Sequence, residues 1–574
     1  MKKGSNSRRN FIKNSGLIFS IMAIEANFLL ANEGEILLDE LLRKLSSLND
    51  GNIESLILKQ ISYPGSRWHG GVKDIYEVPH AHATMNFVIK LSSAYASPFS
   101  KFYLSDRLRK AITKAMKCIV RVQHYDGTID LHSTNFHSTP DTAFFVNYLS
   151  PVYLAFKSLD QVKLESLISY FEIFLKKASK CLLVGGAHTA NHRWVICSAL
   201  ARLNSFFPSS ALLDRIDLWL NEGVDMDPDG QYTERSVGTY SPVCDEMFIT
   251  MGRLLNRNDL LDVARKNLDM TLYYIQPGGE VLTDASGRQD SDKISDIAGY
   301  YYSYLYFSQR DKNPIYGAVC DFIENELPHK LTTFIPYLLE DKSLRNKRIS
   351  ATQFPTKYFK RFKYSGVFRI RQSNFDVSII ENNPTFLTLI KGSAVLQSMR
   401  LGSTFFGSRG QFTAENVEVK DNEILLTKSV KHGYFQPFPK NKIIGDGVYS
   451  KMPREERKLS EPQVINYKLS ITILDQKIQL GVDITGTDHV LVSLEMNFRK
   501  GGKLSGVISD KNRADSYFLK EDWGTYKKDN NVITFGPGKI EHQWGTMRGM
   551  LEKPNGKTVY INGHTPFKHT IEIS

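Results

Sequence analysis

The chain reads as an α+β protein with more than one domain: a ring of helical hairpins followed by an antiparallel β-sandwich. Three observations predict this. Apolar residues recur at helical spacing from about residue 37 to residue 327. After Pro355 they alternate with polar ones, the period of strands with one buried face. The length of 574 residues exceeds what one core organises. A run of helices followed by a run of strands keeps the α and β layers apart.

The spacing predicts helices over 106–123, 141–156, 164–182, 191–203, 211–220, 245–255, 260–274 and 296–307. With weaker segments included, roughly eleven helices follow one another across short Gly-, Pro- and Asn-rich connections. No tight repeat period is visible, which favours a closed ring of hairpins over a solenoid. Strands are predicted over 366–372, 375–380, 385–390, 467–473, 478–484 and 490–496. The charged stretch 342–355, poor in apolar period, reads as the linker between a helical domain, 32–341, and a β-domain, 356–574.

Residues 1–31 are set apart. Arg8 and Arg9 precede an apolar run from Gly16 to Leu30, a pattern that resembles a twin-arginine export signal. The run is too short for a membrane span and contains Glu25. Cleavage after Ala26 or Ala31 is expected, with export to the periplasm or cell surface and no integral membrane segment in the mature chain. Five cysteines, an odd number without a CxxC pair, make a poor disulfide framework and read as buried thiols.

A net charge of +12 favours a polyanionic partner. Lys and Arg are spread along the chain without an RNA-module signature or zinc-finger spacing, so an acidic polysaccharide is expected rather than nucleic acid. Gly-rich phosphate loops, GxSxG and HExxH are absent, against NTPase, α/β-hydrolase and zincin chemistry. No cofactor is predicted and no metal ligand is assigned. A structural or charge-neutralising divalent metal is left open.

Two stretches carry the chemistry. In Gly185-Gly186-Ala187-His188-Thr189-Ala190-Asn191-His192, a helix beginning near His188 would set His188, Asn191 and His192 on one face. In Asp229-Gly230-Gln231-Tyr232-Thr233-Glu234-Arg235, an Asp-Gly turn leads toward Tyr240-Ser241-Pro242, with a helix expected from Pro242 and Tyr240 at its mouth. Arg235 is expected to favour a tyrosinate. Arg288 and Gln289, in a polar loop, are suited to grip a carboxylate or sugar hydroxyls. Asn135 and His137 are subsite candidates beside Asp141, which reads as a helix cap, and Arg67–His69 with Tyr76–His82 add rings of the kind that stack on sugars. His432 and Tyr434, near an expected turn, complete the binding candidates.

Through Asn191-His192, the Asp229-Gly-x-Tyr-x-Glu segment and Tyr240, in this order of domains, the chain resembles the heparinase II/III-like polysaccharide lyases. The resemblance implies an α/α toroid joined to an antiparallel β-sandwich. It implies that Asn191 and His192 neutralise a uronate while Tyr240 acts as catalytic acid, base or both. The implied reaction is β-elimination from a glycosaminoglycan, alginate, glucuronan or rhamnosyl-glucuronate side chain, giving a 4,5-unsaturated product. Two rivals are weighed. A toroid glycoside hydrolase would need two carboxylates, for which Asp229, Glu234 and Asp284 are available. A non-catalytic glycan-binding protein would need only an aromatic groove.

Overall fold

The computed structural model describes residues 38–159, 162–291, 293–346, 348–444 and 446–574. The expected export signal lies outside them. The chain forms two compact units, one ending at Ile380 and the other spanning Glu381–Ser574.

The first unit contains twelve α-helices among the described residues: α1 (Leu38–Leu58), α2 (Ala81–Ala96), α3 (Asp106–Val122), α4 (Thr139–Ser158), α5 (Glu165–Val184), α6 (Ala190–Phe206), α7 (Ser210–Leu220), α8 (Tyr240–Leu254), α9 (Asn258–Thr271), α10 (Tyr301–Arg310), α11 (Pro314–Glu326) and α12 (Ile335–Glu340). Their packing follows their apolar pattern. Outer α3 buries Leu108, Ala111, Ile112, Ala115, Met116 and Ile119, the i, i+3, i+4 stripe of a half-exposed helix. Inner α2, α4, α6 and α8 are buried almost all round. α2 packs on α4, α4 on α6, α6 on α8 and α8 on α10, while α3, α5, α7, α9 and α11 each pack outside this row. α12 touches α1, α2 and α4, which brings the end of the row back to its start. This is the ring of hairpins. All five cysteines are buried and free.

Strands enter this unit as two short pairs, β1 (Ile129–Leu131) with β2 (Asn135–Ser138) and β3 (Glu280–Val281) with β4 (Ser295–Asp296). An antiparallel meander follows: β5 (Lys357–Phe362), β6 (Val367–Gln372) and β7 (Phe375–Ile380). Between Arg345 and Lys357 no regular element forms among the described residues. Arg369 on β6 and Asp376 on β7 have no exposed side-chain surface and meet through two contacts of 2.8 Å. Arg369 Nε also donates to the Tyr273 carbonyl at 2.8 Å, fastening the meander to the helical layer. Asp376→Ala would strand a buried guanidinium, and a loss of about 3 kcal/mol in urea unfolding is expected. A loss under about 1 kcal/mol would mean that water reaches the site.

The second unit is the β-sandwich. Its strands are β8 (Leu387–Lys391), β9 (Ala394–Ser403), β10 (Asn416–Lys420), β11 (Glu423–Phe435), β12 (Leu459–Leu474), β13 (Lys477–Gly486), β14 (Leu491–Phe498), β15 (Lys503–Ser505), β16 (Ile508–Ser509), β17 (Ser516–Phe518), β18 (Gly524–Lys528), β19 (Asn531–Gly536), β20 (Lys557–His564) and β21 (Phe567–Ile573). One sheet runs β10-β11-β12-β13-β21-β19-β18-β15, and the other contains β16-β17-β20-β14-β9-β8. Pairing is antiparallel except for β17 with β20. Phe498 of β14 meets Tyr526 of β18 and Phe535 of β19, each at 4.9 Å between ring centres, and Ser403 of β9 bonds the Tyr467 hydroxyl of β12 at 2.7 Å. The two inner faces thus form one core.

Candidate active site

The helix carrying Asn191 and His192 begins later than the spacing predicts. α6 starts at Ala190 with Thr189 as its N-cap, so His188 stands before the helix instead of on its face. Its exposed ring still reaches the His192 ring edge-on at 4.6 Å. Thr189 makes no side-chain cap to the backbone, because its hydroxyl donates to Asn191 Oδ1 at 2.7 Å. That contact turns the amide so that Nδ2 is buried without a partner. The backbone N–H of Asn191 is one of the donors a helix start leaves open. Glu234 takes it at 3.0 Å, placing a carboxylate where the helix dipole favours one.

His192 is also buried, and its Nδ1 has no hydrogen-bond partner. Burial, reinforced by the neighbouring His188, pulls its pKa down to about 4. The imidazole is therefore neutral at neutral pH.

Tyr240 is held by a knot of two loops. The Asp229-Gly230 turn requires glycine: Gly230 has φ +102°, and a Cβ there would meet the Lys266 carbonyl at 2.6 Å. Beyond it Tyr232 is buried, its ring parallel to Phe248 and its hydroxyl donating to Asp245 at 2.9 Å. Two residues on, Glu234 faces α6. Val237 N–H donates to Ser286 Oγ at 3.1 Å and Gly238 N–H to Asp290 Oδ2 at 2.9 Å. Gly287 N–H donates to the Arg235 carbonyl at 2.7 Å. These bonds lay loop 286–290 against loop 235–238. α8 begins at Tyr240 itself, two residues before the expected Pro242, and the Tyr240 N–H bonds both the carbonyl and the hydroxyl of Ser236.

The loop contact sets the surroundings of the phenol. Gln289 Nε2 donates to the Tyr240 hydroxyl at 2.7 Å, and the Arg288 guanidinium lies 5.7 Å from the ring centre. Arg288 is also 3.6 Å from Glu234 Oε1. Burial raises the Glu234 pKa, while the Asn191 N–H and Arg288 work against it. Contacts therefore run unbroken from Asn191 through Glu234 and Arg288 to Tyr240. Arg235 points elsewhere: its guanidinium donates to the Tyr364 carbonyl at 3.2 Å, so the cation beside the phenol is Arg288.

A second cluster adjoins His192. The cap of α4 is Ser138 rather than Asp141. Asp141 instead faces His82 at 3.2 Å and accepts hydrogen bonds from Ser138 Oγ at 2.5 Å and Asn135 Nδ2 at 3.0 Å. Burial pushes the Asp141 carboxyl up, but these partners outweigh it and hold it below its ordinary value. Its charge acts on His192. His137 pairs with Asp126 at 2.6 Å and stacks on His124 at 3.9 Å. His432 and Tyr434 belong to the β-sandwich unit and lie within strand β11, not at a turn.

Glu234 and the His82–Asp141 pair are the parts that the sequence reading missed in these roles. Glu234 lies in the Asp-Gly-x-Tyr-x-Glu segment, a usable signal, but reads there only as a general carboxylate. Nothing local announces that His82 meets Asp141. Among the described residues no group of three or more His, Cys, Asp or Glu side chains could hold a metal ion.

In sequence the chain matches no family model and no curated protein. In fold it matches solved structures. A xanthan lyase from Paenibacillus aligns with TM-score 0.59 and 9% identity over 94% of this chain, which spans only 57% of that one. A chondroitin AC lyase from Streptomyces coelicolor A3, in complex with chondroitin sulphate, aligns with TM-score 0.56 and 11% identity over 93% of this chain and 79% of that one. Heparinase III aligns with TM-score 0.55 and 11% identity over 92% of this chain and 84% of that one. At these identities the likeness concerns the fold: a helical toroid followed by a β-sandwich, the heparinase-like architecture of polysaccharide lyases.

Proposed function

We propose that the chain is a polysaccharide lyase that cleaves a uronate-containing glycan by β-elimination. The observation that carries this is the line of contacts joining Asn191, Glu234, Arg288 and Tyr240, with an amide nitrogen and an imidazole nitrogen left unpartnered at one end and a phenol at the other. Asn191 Nδ2 and His192 Nδ1 donate to the uronate carboxylate and hold the negative charge that gathers there as the C5 proton leaves. Tyr240 takes that proton. The Gln289 amide on its hydroxyl and the Arg288 cation beside its ring hold the phenol in place and complement an oxyanion there. The bond from C4 to its oxygen then breaks, C4 and C5 become doubly bonded, and the departing oxygen receives a proton from Tyr240 or from a second acid.

Asp229 is less available to the hydrolase rival, because its carboxylate holds the Tyr364 and Ser365 N–H groups, the latter at 2.9 Å. Incubation with a panel of uronate polysaccharides separates the readings. A lyase yields product absorbing in the ultraviolet through its new double bond. New reducing ends without that absorbance would overturn the proposal.

The same reading places the enzyme outside the cytoplasm. No helix among the described residues is long and apolar enough to cross a membrane. Changing Arg8 and Arg9 to Lys is expected to retain the precursor inside the cell, as judged by fractionation, and undiminished export would reject the twin-arginine route.

A further inference from the structure

We infer that the β-sandwich unit carries its own groove for an anionic glycan, formed where strand β11 passes the loop at Phe406. The inference rests on the reading of the substrate as an acidic glycan, and deepens it.

The groove is a cavity of about 1420 Å³ with Lys428 to Phe435 of β11 along one side. Its shape comes from a bulge. His432 pairs with Gln463 but Tyr434 with Ser460, so the register slips between them. Gly433 sits at the slip, where a Cβ would lie 2.4 Å from the Ser460 carbonyl. Its N–H donates to His432 Nδ1 at 2.7 Å and fixes that ring. Phe406 stacks on His432 at 4.6 Å and meets Tyr434 edge-on at 5.7 Å. It does so from the left-handed region, φ 45° and ψ 48°, an unfavourable place for a residue with a bulky side chain. Strain of this kind is retained where a side chain must be presented in one direction.

Tyr434 is left 62% exposed, although its ring sits in a cluster of three. Such a surface suits the C–H face of a pyranose. The charge is equally one-sided. Arg409, Lys428, Lys431 and Arg548 line the groove, against Glu415 as its acid. Arg409, Lys431 and Arg548 form no ion pair among the described residues. Rings with unpaired cations match alternating sugar faces and carboxylate or sulphate groups. Because Phe406 and His432 already stack on each other, no slot opens between them for a nucleobase.

The test uses the full chain carrying Tyr240→Phe, so that polymer is not consumed. Retention is measured on gels containing alginate, chondroitin sulphate, heparin, neutral dextran or single-stranded DNA. The parent should be retained by at least one acidic polysaccharide and not by dextran. Tyr434→Ala and the pair Lys431→Ala with Arg548→Ala alter exposed side chains, and thermal melting checks that they fold. Each should weaken that retention at least tenfold, and the cation pair should also flatten its salt dependence. Unchanged retention, no retention of the parent on any acidic polysaccharide, or equal and groove-dependent retention on DNA would overturn the inference. Groove-dependent retention without ultraviolet-absorbing product from the unaltered chain would sink the lyase reading and leave the groove standing. Product formation with unaffected retention would do the reverse.

Discussion

Tyr240→Phe should lower turnover by roughly 10²–10⁴-fold, and by the upper part of that range if one phenol both takes the C5 proton and returns it to the leaving oxygen. The substitution removes one oxygen and keeps the ring. The Arg288 contact to the ring face and the backbone bonds of Tyr240 to Ser236 do not depend on that oxygen. Only the Gln289 amide loses its partner, and because Gln289 is exposed, water replaces it. The fold should therefore survive with an unchanged melting temperature. Binding of polymer should change far less than turnover, since the proton moves only in the transition state. Gln289→Ala should act through the same atom more weakly. It removes the hydrogen bond that orients the phenol oxygen, so turnover should fall while polymer binding changes little. The readout is ultraviolet-monitored initial rate beside polymer binding. Near-normal turnover by folded Tyr240→Phe would take the phenol out of the mechanism.

The fold was legible because periodicity is a local property. The buried faces of α3 and α5 repeat at helical spacing, and β6, β7, β13 and β14 fall within two residues of the alternating runs 366–372, 375–380, 478–484 and 490–496. Strands such as β11 and β18 were harder. Their apolar positions are interrupted by lysines, exposed at Lys431 and Lys527 and half-buried at Lys428 and Lys528, and in β11 a bulge breaks the alternation between His432 and Tyr434. Helix starts were misplaced for a different reason. The groups that set them lie outside the helices: α6 is capped in effect by Glu234, far along the chain, and α8 by the carbonyl and hydroxyl of Ser236, four residues before it.

The candidate site divides along the same line. Residue types for the proposed site could be picked out of the sequence, because few side chains can neutralise a carboxylate or move a carbon-bound proton. Assignments within the site were not. Arg235 and Arg288 look equivalent in sequence, but a positive φ of 47° at Arg235 and its bond to Tyr364 turn it away, while the loop contact through Gly287 delivers Arg288 to the phenol. Asp141 looked like a cap because acidic residues favour helix starts. Ser138 takes that place and frees the carboxylate for His82.

At the other end of the site, Asn191→Ala and His192→Ala should each lower turnover by roughly 10²–10³-fold, the cost of removing one preorganised donor from a developing anion. For Asn191 the structural loss is small: Glu234 bonds its backbone N–H, which alanine keeps, and the Thr189 hydroxyl becomes free to cap α6. His192 adds a pH dependence. Its folded pKa of about 4 lies below the ordinary 6.5, so the unfolded chain binds the proton first as pH falls. Stability contributed by neutral His192 is intact above about pH 6.5, declines between 6.5 and 4, and reaches a total loss of about 3 kcal/mol. His192→Ala should lack that decline, and urea unfolding at pH 7 and pH 4.5 compares the two proteins. Catalysis should report the same group. The acid limb of kcat/KM should lie near pH 4, that of the free enzyme. The limb of kcat should lie higher, because a uronate held against the imidazole favours its charged form. Coincident limbs near pH 6.5 would mean that His192 is neither buried nor in contact with the carboxylate during turnover.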